Sequence, residues 1–533
     1  MSAIDPKGGR DYIVVSDLHL GEGLGSESER YALVEDFFYD DAFARLLAHT
    51  SSLYAETPAR LCLVLNGDVF DFLTVASVPD DLELDVSPLE KRFGLDPTAP
   101  KSVLKLQAII AGHPVFFSAL AAFVATGHGV EILRGNHDLE IFFPAVQEHL
   151  LECLSRIGDV PLEAVRDRVR FHQSFYLDPG RVYIEHGNQY EASNSIRYPL
   201  SPVMPTRSPG AEQALDYPLG SLFVRYFYNR VRQANPYAPR VVSIEQYFDF
   251  LRHHNPLDLV KEVRAQYPFF ISALNPRVMA GSSGPSQGLD EQQNETFELL
   301  AESTEPENLH VILSGLKERP LSASNVSLVR EMLKPLIRRA LWAAGAAVGA
   351  IYVWLLLFNL IQAPFLGGGI FVKATLLFLL SMGSILALLW AGSHLTRRLA
   401  KRIDKTVERC AKVAEEIASK TGVAAVIMGH THDVDRRRLD SGGVYINCGT
   451  WISVLNRWSN LIPDARRMTF VFVRGDDISL VRWNDDAERI DKVPLFERPT
   501  GRARKWANIF RGPGGRTPRP GSRSARPRSA GTS

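Results

Sequence analysis

The sequence predicts an α/β fold on three observations. Short apolar runs read as buried strands, helical stretches separate them, and loops rich in Asp, Gly or His close them. Residues 12–16 (YIVVS), 61–66 (LCLVLN), 130–134 (VEILR) and 181–185 (RVYIE) are the first such runs, with helices expected over 30–50 and 103–126. Strands resume at 423–428 (VAAVIM), 443–447 (GVYIN) and 468–474 (MTFVFVR). Ahead of them an amphipathic helix is expected over 397–420. Leu399, Ile403, Val407, Ala411, Ala414 and Ala418 share one of its faces, and Gly422 is its C-terminal stop.

At 533 residues the chain is too long for one compact domain. The expected order is a first core part over 11–193, a mostly helical cap insertion over 194–335, a helical hairpin over 338–394, a second core part over 397–495, and a disordered tail over 500–533. Lys plus Arg and Asp plus Glu number 60 each, so the neutral chain gives no strong nucleic-acid signal. Residues 501–533 carry nine Lys/Arg and no acid, a composition suited equally to anionic lipid and to solubility. Cys62, Cys153, Cys410 and Cys448 form no CxxC pair, which points to buried free thiols in a reducing compartment. The polar residues 1–10 lack the apolar stretch of a cleavable signal peptide.

The clearest physical signal is apolar length. Between Arg339 and Arg397 the only Lys, Arg, Asp or Glu is Lys373. Residues 340–361 reach the roughly 20 that a helix needs to cross a hydrocarbon core, 363–369 (APFLGGG) form a turn, and 370–392 supply a second span. Lys334, Arg338 and Arg339 precede the pair, and Arg397, Arg398, Lys401, Arg402 and Lys405 follow it. Basic residues on both flanks predict a transmembrane hairpin, with both termini and both core parts in the cytoplasm, at a bacterial plasma membrane.

Five patches carry groups suited to metal ions: Asp17-Leu-His19, Gly67-Asp68, Gly135-Asn136-His137-Asp138, Glu185-His186-Gly187 and Gly429-His430-Thr431-His432. Four of them directly follow a run read as a strand, so a sheet would bring distant side chains to one edge. Mixed imidazole, carboxylate and amide oxygen suits borderline to hard divalent ions such as Mn, Fe or Zn. Residues i and i+2 of an extended segment point the same way, which would aim Asp17 with His19, and His430 with His432, at one cluster. Singly the patches are weak, since a D-x-H pair is often a surface or capping pair and Gly-Asp is often a turn. Their joint order carries the argument.

That ordered set of D-x-H, GD, GNHD, H and GHxH resembles the calcineurin-like metallophosphoesterases. The resemblance covers about residues 11–192 and 405–485 and extends to Asn447-Cys-Gly-Thr450. It implies a four-layer αββα sandwich and two divalent metal ions, Mn foremost, with Fe or Zn as alternatives. One ion would be held by Asp17, His19, Asp68 and His432, the other by Asp68, Asn136, His186 and His430, with Asp68 bridging. His137 would stabilise the transition state or protonate the leaving oxygen, and Asp138 would orient His137. Asp71 is either a further acceptor for a histidine or a helix-start residue.

The implied activity is hydrolysis of a phosphodiester or pyrophosphate without a covalent enzyme intermediate, two metals lowering the pKa of a bridging water. Asp17-Leu-His-Leu-Gly21 and Gly67-Asp-Val-Phe-Asp71 are similar to the UDP-2,3-diacylglucosamine pyrophosphohydrolase-like branch, which implies a lipid-linked or nucleotide substrate met at the membrane. His137 departs from that branch, which typically carries Arg there. A phosphoprotein, cyclic nucleotide or nucleic acid is the alternative substrate, and a non-catalytic membrane scaffold the alternative class. The stretch 225–232 (RYFYNRVR) suits either contact with lipid headgroups or packing on the core. His186 and His430 flank the hairpin and must meet, so the number of spans between them must be even.

Overall fold

The computed structural model describes residues 9–25, 30–79, 82–204, 212–229, 309–318, 354–361, 369–452 and 467–493, with isolated positions between 295 and 352, and backbone alone over 385–405. Most of the expected cap, much of the first expected span and all of the 500–533 tail lie outside the described residues. The described elements belong to one compact unit, Met1–Val493.

The fold is mixed α/β, with two sheets. Strands β1 (Asp11–Val15), β2 (Leu61–Asn66), β3 (Gly129–Leu133) and β4 (Val169–His172) pair in parallel in that order. A second sheet holds β5 (Phe175–Asp178), β6 (Val182–Glu185), β7 (Ala425–Met428), β8 (Asp435–Arg438) and β9 (Val444–Asn447) in the order β5-β6-β7-β9-β8. Its central strands β6, β7 and β9 are parallel, although the chain between β6 and β7 is more than two hundred residues long. Finally β10 (Thr469–Arg474), β11 (Asp477–Asn484) and β12 (Arg489–Lys492) extend the first sheet antiparallel beyond β1.

Every residue of β1 and β2 is buried, as parallel strands covered on both faces require, and this is why they read as unbroken apolar runs. Alternation divides their side chains. Ile13, Val15, Leu61, Leu63 and Leu65 join a core with α1 (Asp40–Leu53) and its neighbours, while Tyr12, Val14, Cys62 and Val64 pack with Val182, Ile184, Ala425, Ile427 and Ile446 of the second sheet. After α1 come α2 (Glu90–Phe93), α3 (Ala99–Gly112), α4 (Pro114–Ala125), α5 (Pro144–Gly158) and α6 (Leu162–Arg168). The short α7 (Leu219–Phe223) runs into a π-helical turn, Val224–Tyr228. The other side of the second sheet, through Tyr183, Val426, Met428 and Tyr445, meets Leu309 of α8 (Leu309–Leu316) and Cys410, Val413, Ala414 and Ile417 of α9 (Ile370–Thr421).

Several expectations are redrawn. The helix expected over 103–126 is two, α3 and α4, bent by 95° at His113, because Pro114 has no N–H to continue the ladder. The helix expected from residue 30 starts at Asp40. Glu35 holds the preceding segment as a loop by accepting the backbone N–H groups of Gly21, Gly23, Asp36 and Phe37. The helix expected over 397–420 is the last part of α9, which begins at Ile370 and ends at left-handed Gly422 as expected (φ 69°). Its packed face is Cys410, Val413, Ala414, Ile417 and Ala418, rotated from the expected stripe, with Val407 and Ala411 at the margin. All four cysteines are buried and free.

Among the described residues no single helix is long and apolar enough to cross a membrane. The α3–α4 pair together has the apolar length, but Leu106, Ile109, Phe116, Phe117 and Leu120 use it to pack the first core. The second expected span lies within α9, with side chains described as far as Ser384. There Ile370, Phe371, Val372, Phe378, Leu379 and Met382 are exposed, as are Ile351, Tyr352, Leu355, Leu356 and Leu360.

Candidate metal centre

Each of the five patches follows the C-terminal end of a strand: Asp17 and His19 after β1, Asp68 after β2, Asn136 to Asp138 after β3, His186 after β6, and His430 and His432 after β7. Parallel pairing within each sheet puts these ends on common edges, and packing of β1 and β2 against β6 and β7 brings the two edges together. All nine side chains are buried, none more than 7% exposed.

The loops reach this arrangement through unusual backbone. Of the eight described non-glycine residues with positive φ, five are Asp17 (56°), His19 (55°), Asp68 (51°), His430 (67°) and His432 (56°). This left-handed region costs L-residues roughly 1–2 kcal/mol each and clusters at functional sites. The extended geometry expected for D-x-H and H-x-H is therefore wrong. The pairs converge because both members turn left-handed past the strand end. Glycine is needed where the loops touch: a Cβ on Gly67 would lie 2.6 Å from the His186 ring, and one on Gly135 would lie 2.1 Å from Asp68 Oδ1.

Three groups result among the described residues. Asp17, His19 and His432 form the first and Asp68, His186 and His430 the second, while His19, Asp71 and His137 make a third that shares His19; in each, the candidate ligand atoms lie within 4.8 Å of one another. His432 Nε2 is 3.0 Å from Asp17 Oδ1 and 3.1 Å from His19 Nε2. His186 Nε2 is 3.2 Å from Asp68 Oδ2, and the same oxygen is 4.0 Å from His19 Nε2, so Asp68 stands between the first two groups. The rings of His186 and His430, 244 positions apart in the sequence, have centroids 5.3 Å apart. Asn136 Oδ1 is buried without a hydrogen-bond partner, an acceptor that calls for a positive neighbour. These buried His and Asp groups could hold a metal ion, and their imidazole and oxygen donors fit a divalent one.

Charge supports the same arrangement. Burial pushes the Asp17 carboxyl up, but His432 and His186 outweigh it and hold the group at about 2. Burial likewise opposes ionisation of Asp68, yet His186 and His137 keep it well below the usual carboxylate range. His186 answers in kind: burial lowers it, Asp68 and Asp17 raise it further, and it stands at about 10. Two ionised carboxylates facing a cluster of rings form a site that a cation can enter by displacing protons.

Asp138 does not orient His137. Its Oδ1 accepts the N–H of Gly135 (2.5 Å) and its Oδ2 that of Val69 (2.9 Å), tying the GNHD turn to the Asp68 loop. Burial and the nearby Asp68 charge push this carboxyl up to about 7. Asp71 takes the role instead: its Oδ1 is 3.0 Å from His137 Nδ1 and its Oδ2 is 3.3 Å from His19 Nδ1. The His137 amide donates to Asp68 Oδ1 at 2.8 Å, so the ring is carried on the loop that holds the shared carboxylate.

Two positioning groups escaped the sequence reading. The carbonyl of Asn66 accepts from His186 Nδ1 at 3.0 Å, which leaves Nε2 for the centre. Glu191 Oε2 is 2.7 Å from His430 Nε2 and accepts from Asn194 Nδ2 at 2.9 Å. Burial works against its charge, but His430 holds the carboxyl below its ordinary value. An acid five residues past a histidine has no motif to announce it. No known protein family and no curated protein matched the chain.

Proposed function

We propose that the chain is a dinuclear metallophosphoesterase of the calcineurin-like kind, hydrolysing a phosphodiester or pyrophosphate bond at a membrane. The observation that carries the reading is the convergence of Asp17, His19 and His432 beside Asp68, His186 and His430. Asp17, His19, Asp68 and His432 would hold one divalent ion, and Asp68, Asn136, His186 and His430 the second. When bound, such a pair supplies Lewis acidity, an activated water and a clamp on phosphoryl oxygens. Two sheets sharing the Tyr12–Val14–Ile184–Ile427 cluster, with helices against their other faces, support a four-layer αββα sandwich.

The chain's own groups then divide the work. His137, braced through Nδ1 by Asp71, would meet the phosphoryl oxygens or supply the leaving group's proton. Asp138 keeps the GNHD turn in register with the shared carboxylate. The exposed apolar side chains between Ile351 and Met382 have the character of a surface meant for lipid rather than water, which supports the hairpin reading and a lipid-linked or nucleotide substrate.

Purified full-length protein in detergent, reconstituted with Mn, should hydrolyse bis-p-nitrophenyl phosphate. His137→Ala should lower kcat about 10²–10⁴-fold with Mn content unchanged. Protein that binds Mn without turning over would favour the scaffold reading. Membranes washed with alkaline carbonate should retain the chain, and its release would remove the anchor from the account.

A further inference from the structure

Next to the metal-binding cluster lies a cavity of about 40 Å³, lined by Arg134, Gln173, Glu185, His186, Asn188 and Lys317 among others. A cavity of that size holds about three water molecules, the space of one small oxyanion. His186 lines both the cavity and the centre, so the two are neighbours.

One cation on the lining, Arg134, is incompletely partnered. Arg134 is only 6% exposed. Its Nη2 donates to the carbonyls of Gln173 and Pro199, but Nη1 is buried with no hydrogen-bond partner. Among the described residues no carboxylate pairs with it. Asp138 acts on it only as a distant charge, and both Asp138 oxygens are already engaged by the Gly135 and Val69 amides. A buried guanidinium without a counter-charge is costly unless something else supplies one. A second cation lines the cavity: Lys317, just beyond α8, donates to the carbonyl of Arg197 at 2.8 Å. The acid on the lining, Glu185, is occupied, accepting the hydroxyls of Tyr190 (2.7 Å) and Tyr183 (3.2 Å).

We propose that this cavity is a phosphate-class oxyanion site, separate from the metal cluster, in which the Arg134 guanidinium and the Lys317 ammonium hold one anion. Arg134 comes from the strand-end loop that carries Asn136, and Lys317 from the described part of the expected cap. The insertion therefore completes a binding site instead of merely covering one. The anion is either free phosphate or a phosphoryl group on an organic molecule. Binding there needs no metal and no turnover, so the inference stands or falls apart from the hydrolase reading.

The test is calorimetric titration of full-length, EDTA-treated protein in detergent with inorganic phosphate and, separately, glycerol 3-phosphate. Saturable binding of one anion per chain is expected. Lys317→Gln and Arg134→Met should each weaken it about ten- to hundredfold, the loss of one charge-assisted hydrogen bond. Arg134 also fastens two loops, so Lys317→Gln decides the matter if Arg134→Met does not fold. Tighter binding of glycerol 3-phosphate would assign the site to an organic phosphate; equal or weaker binding would assign it to free phosphate. Absence of saturable binding, or a Lys317→Gln protein that binds like wild type, would overturn the proposal.

Discussion

In the Asp17–His19–His432 half of the centre every member sits on left-handed backbone, whereas in the Asp68–His186–His430 half the His186 backbone is ordinary and its ring is fixed by the Asn66 carbonyl. The second half also leans on Glu191, which comes from outside the motif set. The first half thus lies wholly on left-handed turns, with Asp71 beside His19, whereas the second has two left-handed members and leans in addition on the Asn66 carbonyl and on Glu191, a side chain that can be removed alone. The difference teaches where each half can be broken. Strained turns fail together with the loop, while a lost acceptor loosens one ligand and leaves the fold intact.

Asp68 is where the halves join, so Asp68→Ala should have the largest effect, abolishing Mn binding in the second half, weakening the first and ending turnover. Mn titration followed by electron paramagnetic resonance reads both. Retention of two tightly bound ions would show that Asp68 does not bridge. Glu191→Ala should separate the halves: affinity of the second ion falls about 10–100-fold, the usual cost of losing such a supporting partner, while the first ion binds as before. Glu191→Gln, whose amide oxygen still accepts from His430, should fall between. Equal weakening of both ions would mean that Glu191 supports the whole fold and not one ligand.

A smaller effect lies outside the centre, at the α3–α4 bend. His113 Nδ1 is 3.0 Å from Asp40 Oδ1 and its Nε2 is 3.6 Å from Glu35 Oε2. Burial lowers its pKa, but these two carboxylates outweigh burial and raise it to about 9. Because the folded value lies above the unfolded one, the stabilisation is fully present below about pH 6.5 and is lost as pH rises through about 9, about 3 kcal/mol in all. Denaturant unfolding of wild type between pH 6 and 10 should show that loss, and His113→Gln should flatten it. A wild-type stability that does not fall over this range would remove His113 from the account.

Much of this was legible beforehand. Buried parallel strands announce themselves as unbroken apolar runs, and 61–66 was read to the residue. The edge strands β8 (DRRR) and β12 (RIDK) were not, because an edge strand facing water needs no apolar pattern. The residues that converge were readable because each combines a glycine or a turn with a donor at a strand end. Their backbone was misread, since left-handed Asp and His look like any others in a sequence. Asp71 meets a histidine, as one of its two readings has it, while Asp138 does not, because which carboxylate meets a ring is decided by loop geometry in three dimensions and not by adjacency.

Anomalous diffraction from Mn-soaked crystals of the full chain bears most directly on the proposed dinuclear centre. Two Mn peaks about 3.5–4 Å apart, with Asp68 between them, are predicted. A single peak, or one placed away from the edge where β1, β2, β6 and β7 end, would contradict it.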